Sequence, residues 1–165
     1  KRFMNKNFSS NLLNKIITTG IILTFLALLS TPLILTAIFK SRLGIINSNI
    51  PISISIGLYI CAIPYIIALF ILKKISKQIA IKDPFNIKIP ILLEQISFCA
   101  FSEIILFNIV CIVLYYVFNI YLYGITIMSS IVVSFVSLAI GVLSIVLSQL
   151  IKIAIEIKDE NDKTI

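Results

Sequence analysis

One carboxylate lies in the middle of a long apolar segment of this 165-residue chain, at Glu103. A carboxylate in hydrocarbon is costly, so a residue of this kind usually faces other helices and often marks a functional site. Three roles suit it: proton coupling, cation coordination, or a structural hydrogen bond to a neighbouring helix. The structural hydrogen bond is the most ordinary of the three, and the sequence leaves the choice open.

Two further polar residues, Asn108 and Gln149, lie in similarly apolar surroundings and need hydrogen-bond partners there. The chain has no histidine, so it lacks the usual general base near neutral pH and the commonest metal ligand. Cys61, Cys99 and Cys111 form no CxxC pair, and we interpret them as small packing residues. No phosphate-binding loop, HExxH motif or nucleophile elbow occurs. We therefore expect no enzymatic activity, no catalytic residue, no cofactor and no metal site.

The amino-acid composition indicates the kind of structure that holds these polar residues in place. Hydrophobic residues make up 59% of the chain and charged residues only 13%, whereas soluble domains carry about 25% charged residues. A bilayer core needs roughly 20 apolar residues per helix. Four segments meet this length, and we predict transmembrane helices at about 16–39, 50–72, 91–118 and 125–153. The predicted fold is a single all-α membrane domain over 1–165, an antiparallel four-helix bundle.

The basic residues predict the orientation of these helices. Of the 14 lysines and arginines, all but Lys40 and Arg42 would lie on the same side of the membrane. Cytoplasmic loops carry the excess of basic residues, so we predict both termini inside, with a cytoplasmic loop at about 73–90 and a tail at about 156–165. Abundant isoleucine, lysine and asparagine suggest an AT-rich bacterial genome, hence the bacterial plasma membrane. The net charge of +7 then favours contact with anionic lipid head groups rather than direct binding of nucleic acid.

Small residues recur along the fourth segment at steps of three and four, which places them on one narrow helix face. Small residues let helix backbones approach closely, and serine hydroxyls can bond to a neighbouring helix. We interpret this face, called the small-residue stripe below, as a packing surface. A polar path for an ion or small ligand is the alternative. The stripe consists of Ser130, Ser134, Ser137, Gly141, Ser144 and Ser148.

Two charged segments could contact lipid or a partner protein. The predicted loop combines isoleucines with lysines, and we favour an interfacial helix held to anionic lipid over a docking surface. The predicted tail is either a solvated helix end or a docking element. Its acidic residues are Glu156, Asp159, Glu160 and Asp162, and the loop lysines are Lys73, Lys74, Lys77 and Lys82.

Two stretches resemble a known family. One is Lys82-Asp83-Pro84-Phe85 before the third segment, and the other is the ending from Leu150, which closes on Glu160-Asn161-Asp162-Lys163-Thr164-Ile165. Together they resemble the bacterial membrane family called domain of unknown function 2975, which has a "PF" element and an acidic "E-x-D-L-T-I" ending. Lys163 stands where that ending has leucine. The resemblance implies the same four-helix layout and, by gene pairing, a helix-turn-helix regulator as partner.

Two functions follow as hypotheses. The first is a small regulatory or sensor-like membrane protein whose loop and tail contact a cytoplasmic partner. The second is a transporter, channel or immunity-type protein against a membrane-active peptide, in which Glu103 takes part. Oligomers are compatible with either hypothesis, and the sequence does not indicate one.

Overall fold

Four long α-helices account for almost all of the residues that the structure describes. The structure is a computed structural model that describes residues 4–42, 49–80, 86–119 and 123–163, and no strand occurs among them. Each helix is long and apolar enough to cross a membrane. The predicted all-α membrane fold of four helices is thereby confirmed. The helices are α1 (Met4–Arg42), α2 (Ile50–Ala80), α3 (Lys88–Tyr116) and α4 (Tyr123–Lys163).

The helices continue past the predicted spans at several ends. The first turns of the segment predicted as a loop at 73–90 belong to α2, which ends at Ala80, and α3 begins at Lys88. Likewise α4 continues through the predicted tail to Lys163. The bilayer fixes only the length of the apolar part, while lysine, glutamate and glutamine are good helix formers that extend a helix into water. The chain therefore projects helical ends beyond its apolar spans.

A left-handed residue follows the end of α3. Beyond Tyr116, Asn119 adopts a φ of 51°, a conformation that asparagine tolerates better than most residues. A residue of this kind reverses the chain direction after a helix. The next helix, α4, packs back antiparallel along α3.

Each helix packs against its neighbours in the sequence. Within the described ranges, α1 packs on α2, α2 on α3 and α3 on α4, and no other pair of helices has Cα atoms within 8 Å of each other. The Tyr59 hydroxyl of α2 donates a hydrogen bond to the Leu28 carbonyl of α1, at 3.0 Å. The antiparallel bundle is thus arranged in chain order, and α3 lies between α2 and α4.

Large apolar side chains cover the outside. Leu29 and Leu33 of α1 are 73% and 75% exposed, and Phe98 of α3 is 75% exposed. Apolar surface of this extent would aggregate in water, but it suits lipid tails. A cluster of buried apolar side chains lies where the end of α2 meets the start of α3. It consists of Ile71, Ile75, Ile89, Leu93 and Ile96.

Candidate functional site

The small-residue stripe of α4 lies against α3. Ser137, Ser144 and Ser148 are buried, as is Gly141, while Ser130 and Ser134 are half-buried. A Cβ at Gly141 would lie 2.8 Å from the Phe101 ring of α3. The stripe is therefore the surface along which α3 and α4 pack closely.

Asn108 forms the polar centre of this interface. Its Nδ2 donates to the Ile104 carbonyl at 2.7 Å and lies 3.4 Å from the Ser134 hydroxyl. Its Oδ1 accepts a hydrogen bond of 2.7 Å from the Ser130 hydroxyl. The Asn108 amide thus has hydrogen-bond partners for both its nitrogen and its oxygen, and it joins α3 and α4.

A second polar cluster joins the same helices near the start of α3. Lys152 Nζ of α4 donates to Glu94 Oε1 at 2.6 Å, and both side chains are about half exposed. The buried Ser148 hydroxyl lies 3.1 Å from the same Glu94 oxygen and 3.0 Å from the Pro90 carbonyl. The ion pair joins residues 58 positions apart in the sequence, and it was not predicted from the sequence.

Glu103 makes no hydrogen bond to the stripe. Its side chain is half-buried, and its Oε2 is buried with no hydrogen-bond partner among the described residues. The carboxylate interacts electrostatically with the Cys61 thiol on α2. The interhelical hydrogen bonds are made by Asn108 and Glu94 instead, and Glu103 keeps an oxygen without a partner among the described residues that can take a proton or a cation.

Gln149 lies apart from these groups. It follows the buried Ser148 on α4, but its own side chain is exposed. The structure therefore does not bring the three predicted intramembrane polar residues together. Asn108 is in the α3–α4 interface, Glu103 interacts electrostatically with Cys61 of α2, and Gln149 is on the outer surface of α4.

A cavity of about 650 Å³ opens between α2, α3 and α4. It forms because α2 and α4 both pack on α3 and do not touch each other there. Most of its wall is apolar. The α3 and α4 sides contribute the polar groups of Asn108, Ser130 and Thr126, and the α2 side includes Cys61 and Gly57. Its volume is within the range of small-molecule sites, roughly 300–1,000 Å³. No spacing in the sequence indicated it, because it depends on how three helices diverge.

The charged segments lie at the helix ends. Lys73, Lys74 and Lys77 occupy the last turns of α2, and the latter two are exposed. Lys82 lies outside the described residues. The acidic residues of the tail are all exposed on the end of α4: Glu156, Asp159, Glu160 and Asp162. Within the described residues, no group of three or more histidine, cysteine or acidic side chains could hold a metal ion.

Comparison with known proteins gives one match. The family model described as "Protein of unknown function (DUF2975)" matches residues 35–165, which contain α2, α3, α4 and the end of α1. No curated protein matches the chain. No solved structure matches it either.

Proposed function

The chain belongs to the DUF2975 family of unknown function, and we propose that it is a non-enzymatic regulatory membrane protein whose α4 end binds a cytoplasmic protein. The observation that carries this proposal is the continuity of α4. One unbroken helix begins beside the cavity, where Thr126 and Ser130 line the wall, and ends in the exposed acidic tail. An event in the cavity and a partner on the tail would therefore act on one rigid element.

The length of α4 supports this arrangement. Its 41 residues span about 60 Å at 1.5 Å per residue, whereas the hydrocarbon core is about 30 Å thick. A long part of α4 therefore projects beyond the apolar layer. The Glu94–Lys152 pair fixes α4 to the start of α3 just before that projecting part. Any tilt of α4 at the cavity would strain the Glu94–Lys152 ion pair and displace the tail.

The charge of the tail defines the partner surface. From Glu156 onward the described part of α4 carries four acidic residues against Lys158 and Lys163. A basic surface suits it, and the DNA-binding face of a helix-turn-helix regulator is basic. The family resemblance favours the same kind of partner. In this proposal the acidic tail competes with DNA for that face.

Affinity capture from native membranes tests the proposal. We expect a cytoplasmic protein to co-purify with the full chain and to be lost when the chain ends at Ile155. A second variant changes the four tail acids to their amides, and a control changes Lys158 and Lys163 to glutamine. The amide variant should lose the partner and the control should retain it. An identical set of captured proteins from all variants would contradict the proposal.

We also propose that the protein resides in a bacterial plasma membrane with both termini inside. The support is the distribution of basic residues, since Lys73, Lys74 and Lys77 end α2 and Lys88 begins α3 on the same side. A protease site added after the tail should be protected in intact spheroplasts and cleaved in inverted vesicles. The reverse pattern would refute this orientation.

A second candidate function is ligand transport or resistance to a membrane-active peptide. The unpaired Glu103 oxygen and the nearby cavity favour it. We expect Glu103→Gln to alter flux or peptide resistance and to leave the fold intact, because the amide keeps the shape of the side chain. Glu94→Gln, which affects the ion pair instead, is the matched control. An unchanged phenotype in Glu103→Gln would leave Glu103 with a structural role only.

A further inference from the structure

A small pocket lies where the end of α2 meets the start of α3. Its volume is about 260 Å³, and it is lined by Lys74, Gln78, Lys88, Ile91 and Leu92. Lys74 and Gln78 are four residues apart, so they lie on one face of α2. Lys88 opens α3 and reaches the pocket from the other helix. Two cations and one amide from two helices thus converge on one opening.

The positive charge of the pocket is not neutralised within the described residues. Lys74 and Lys88 form no ion pair there, whereas Lys152 has Glu94 as its partner at 2.6 Å. The first turn of α3 contains no acidic residue. Its helix N-terminus adds a partial positive charge beside Lys88. The pocket therefore attracts an anion more strongly than an isolated surface lysine would.

The apolar side of the pocket defines what kind of anion fits. Ile91 is 49% exposed and stands one turn inside Lys88, where the apolar part of α3 begins. The pocket therefore has lysine ammonium groups at one end and apolar side chains at the other. An inorganic anion would use only the first part. An amphiphile with a negative head and an apolar chain would use both.

We propose that this pocket binds the head group of an anionic phospholipid. Lys74 and Lys88 contact the phosphate, and the Gln78 amide donates a hydrogen bond to it. The first carbons of an acyl chain lie along Ile91 and Leu92. Zwitterionic lipid binds less well, because its own cationic group is repelled by the two lysines. The inference concerns lipid binding alone and does not depend on the proposed regulatory role.

Native mass spectrometry of the full chain tests this site. Protein in neutral detergent is titrated with phosphatidylglycerol and, separately, with phosphatidylcholine. The site variant is Lys74→Gln with Lys88→Gln. The matched control is Lys73→Gln with Lys77→Gln, which removes the same charge from the same end of the bundle but spares the pocket. Circular dichroism and thermal unfolding establish that both variants fold.

We expect the wild-type chain to retain one phosphatidylglycerol in preference to phosphatidylcholine. Each lysine should contribute roughly fivefold to the affinity, so the site variant should bind phosphatidylglycerol about 30-fold more weakly. The affinity of the control variant should change little. Equal losses in the two variants would show general charge attraction and overturn the proposal. Unchanged phosphatidylglycerol binding by the site variant would also overturn the proposal. Displacement of the lipid by millimolar inorganic phosphate would assign the pocket to a free anion instead.

Discussion

Gly57 is the position where a single methyl group should test the α2–α3 packing most directly. A Cβ at this position would lie 2.7 Å from Val110 Cγ1 and 3.5 Å from Leu114 Cδ1. Ordinary contact begins at 3.4 Å, so Gly57→Ala requires a displacement of about 0.7 Å. Val110 cannot easily supply it, because valine in a helix has one strongly preferred χ1 rotamer and its methyl groups are fixed to Cβ. The two helices must therefore separate locally.

The expected magnitude combines two opposing effects. Overpacking a close contact costs about 1–3 kcal/mol, whereas alanine is favoured over glycine within a helix by about 1 kcal/mol. Gly57→Ala should therefore lower the free energy of unfolding by up to about 2 kcal/mol. Gly20 on α1 provides the control, because nothing lies within 4 Å of its added Cβ. Gly20→Ala should be neutral or stabilising by up to about 1 kcal/mol.

The assay is reversible unfolding in mixed micelles with increasing denaturing detergent, followed by circular dichroism. A rescue variant combines Gly57→Ala with Val110→Ala, which removes the methyl group that would clash. If the clash accounts for the loss, the second change should cost less in the Gly57→Ala background than in the wild type. Equal stability of the Gly57→Ala and Gly20→Ala variants would refute the close approach of α2 and α3. So would strictly additive effects in the double variant.

Two further predictions concern buried polar groups and use the same unfolding assay. Ser76 and Ser148 are both 1% exposed, but Ser148 has two acceptors and the Ser76 hydroxyl has no partner among the described residues. Ser76→Ala should stabilise the protein and Ser148→Ala should destabilise it, each by about 1 kcal/mol, and the same sign for both would contradict this account. Asn108→Ala and Ser130→Ala should show a coupling of about 0.6 kcal/mol in a double-mutant cycle, the average for interhelical hydrogen bonds in membranes. A coupling of zero would mean that their 2.7 Å contact contributes nothing to stability.

The sequence was most informative where one physical requirement acts on many residues at once. The bilayer requires long apolar helices, so the four helices could be predicted from hydropathy alone, and the family model independently matches α2 to α4. Close helix packing requires small side chains on one face, so the stripe of α4 could be recognised by its spacing. Neither requirement specifies the residue at which a helix ends in water, so neither predicts that α4 ends at Lys163.

The partner of each intramembrane polar residue depends on the register between helices, and this register was not predicted from the sequence. Three α3–α4 contacts are symmetric about position 121: Asn108 with Ser134, Phe101 with Gly141, and Glu94 with Ser148. The residues on each helix recur every seven positions, the spacing of a packed seam between two helices. This register could have been inferred by folding α3 and α4 about their connecting turn, and it pairs Glu94 with the stripe.

The same register explains why Glu103 lacks a serine partner. It lies two residues beyond Phe101, or about 200° around the helix, so a side chain there is directed away from the α3–α4 seam. The other neighbour of α3 is α2, and Glu103 interacts electrostatically with Cys61 on that helix. An acid that is excluded from the polar seam, yet still placed inside the bundle, is therefore the residue whose substitution best separates the two proposed functions.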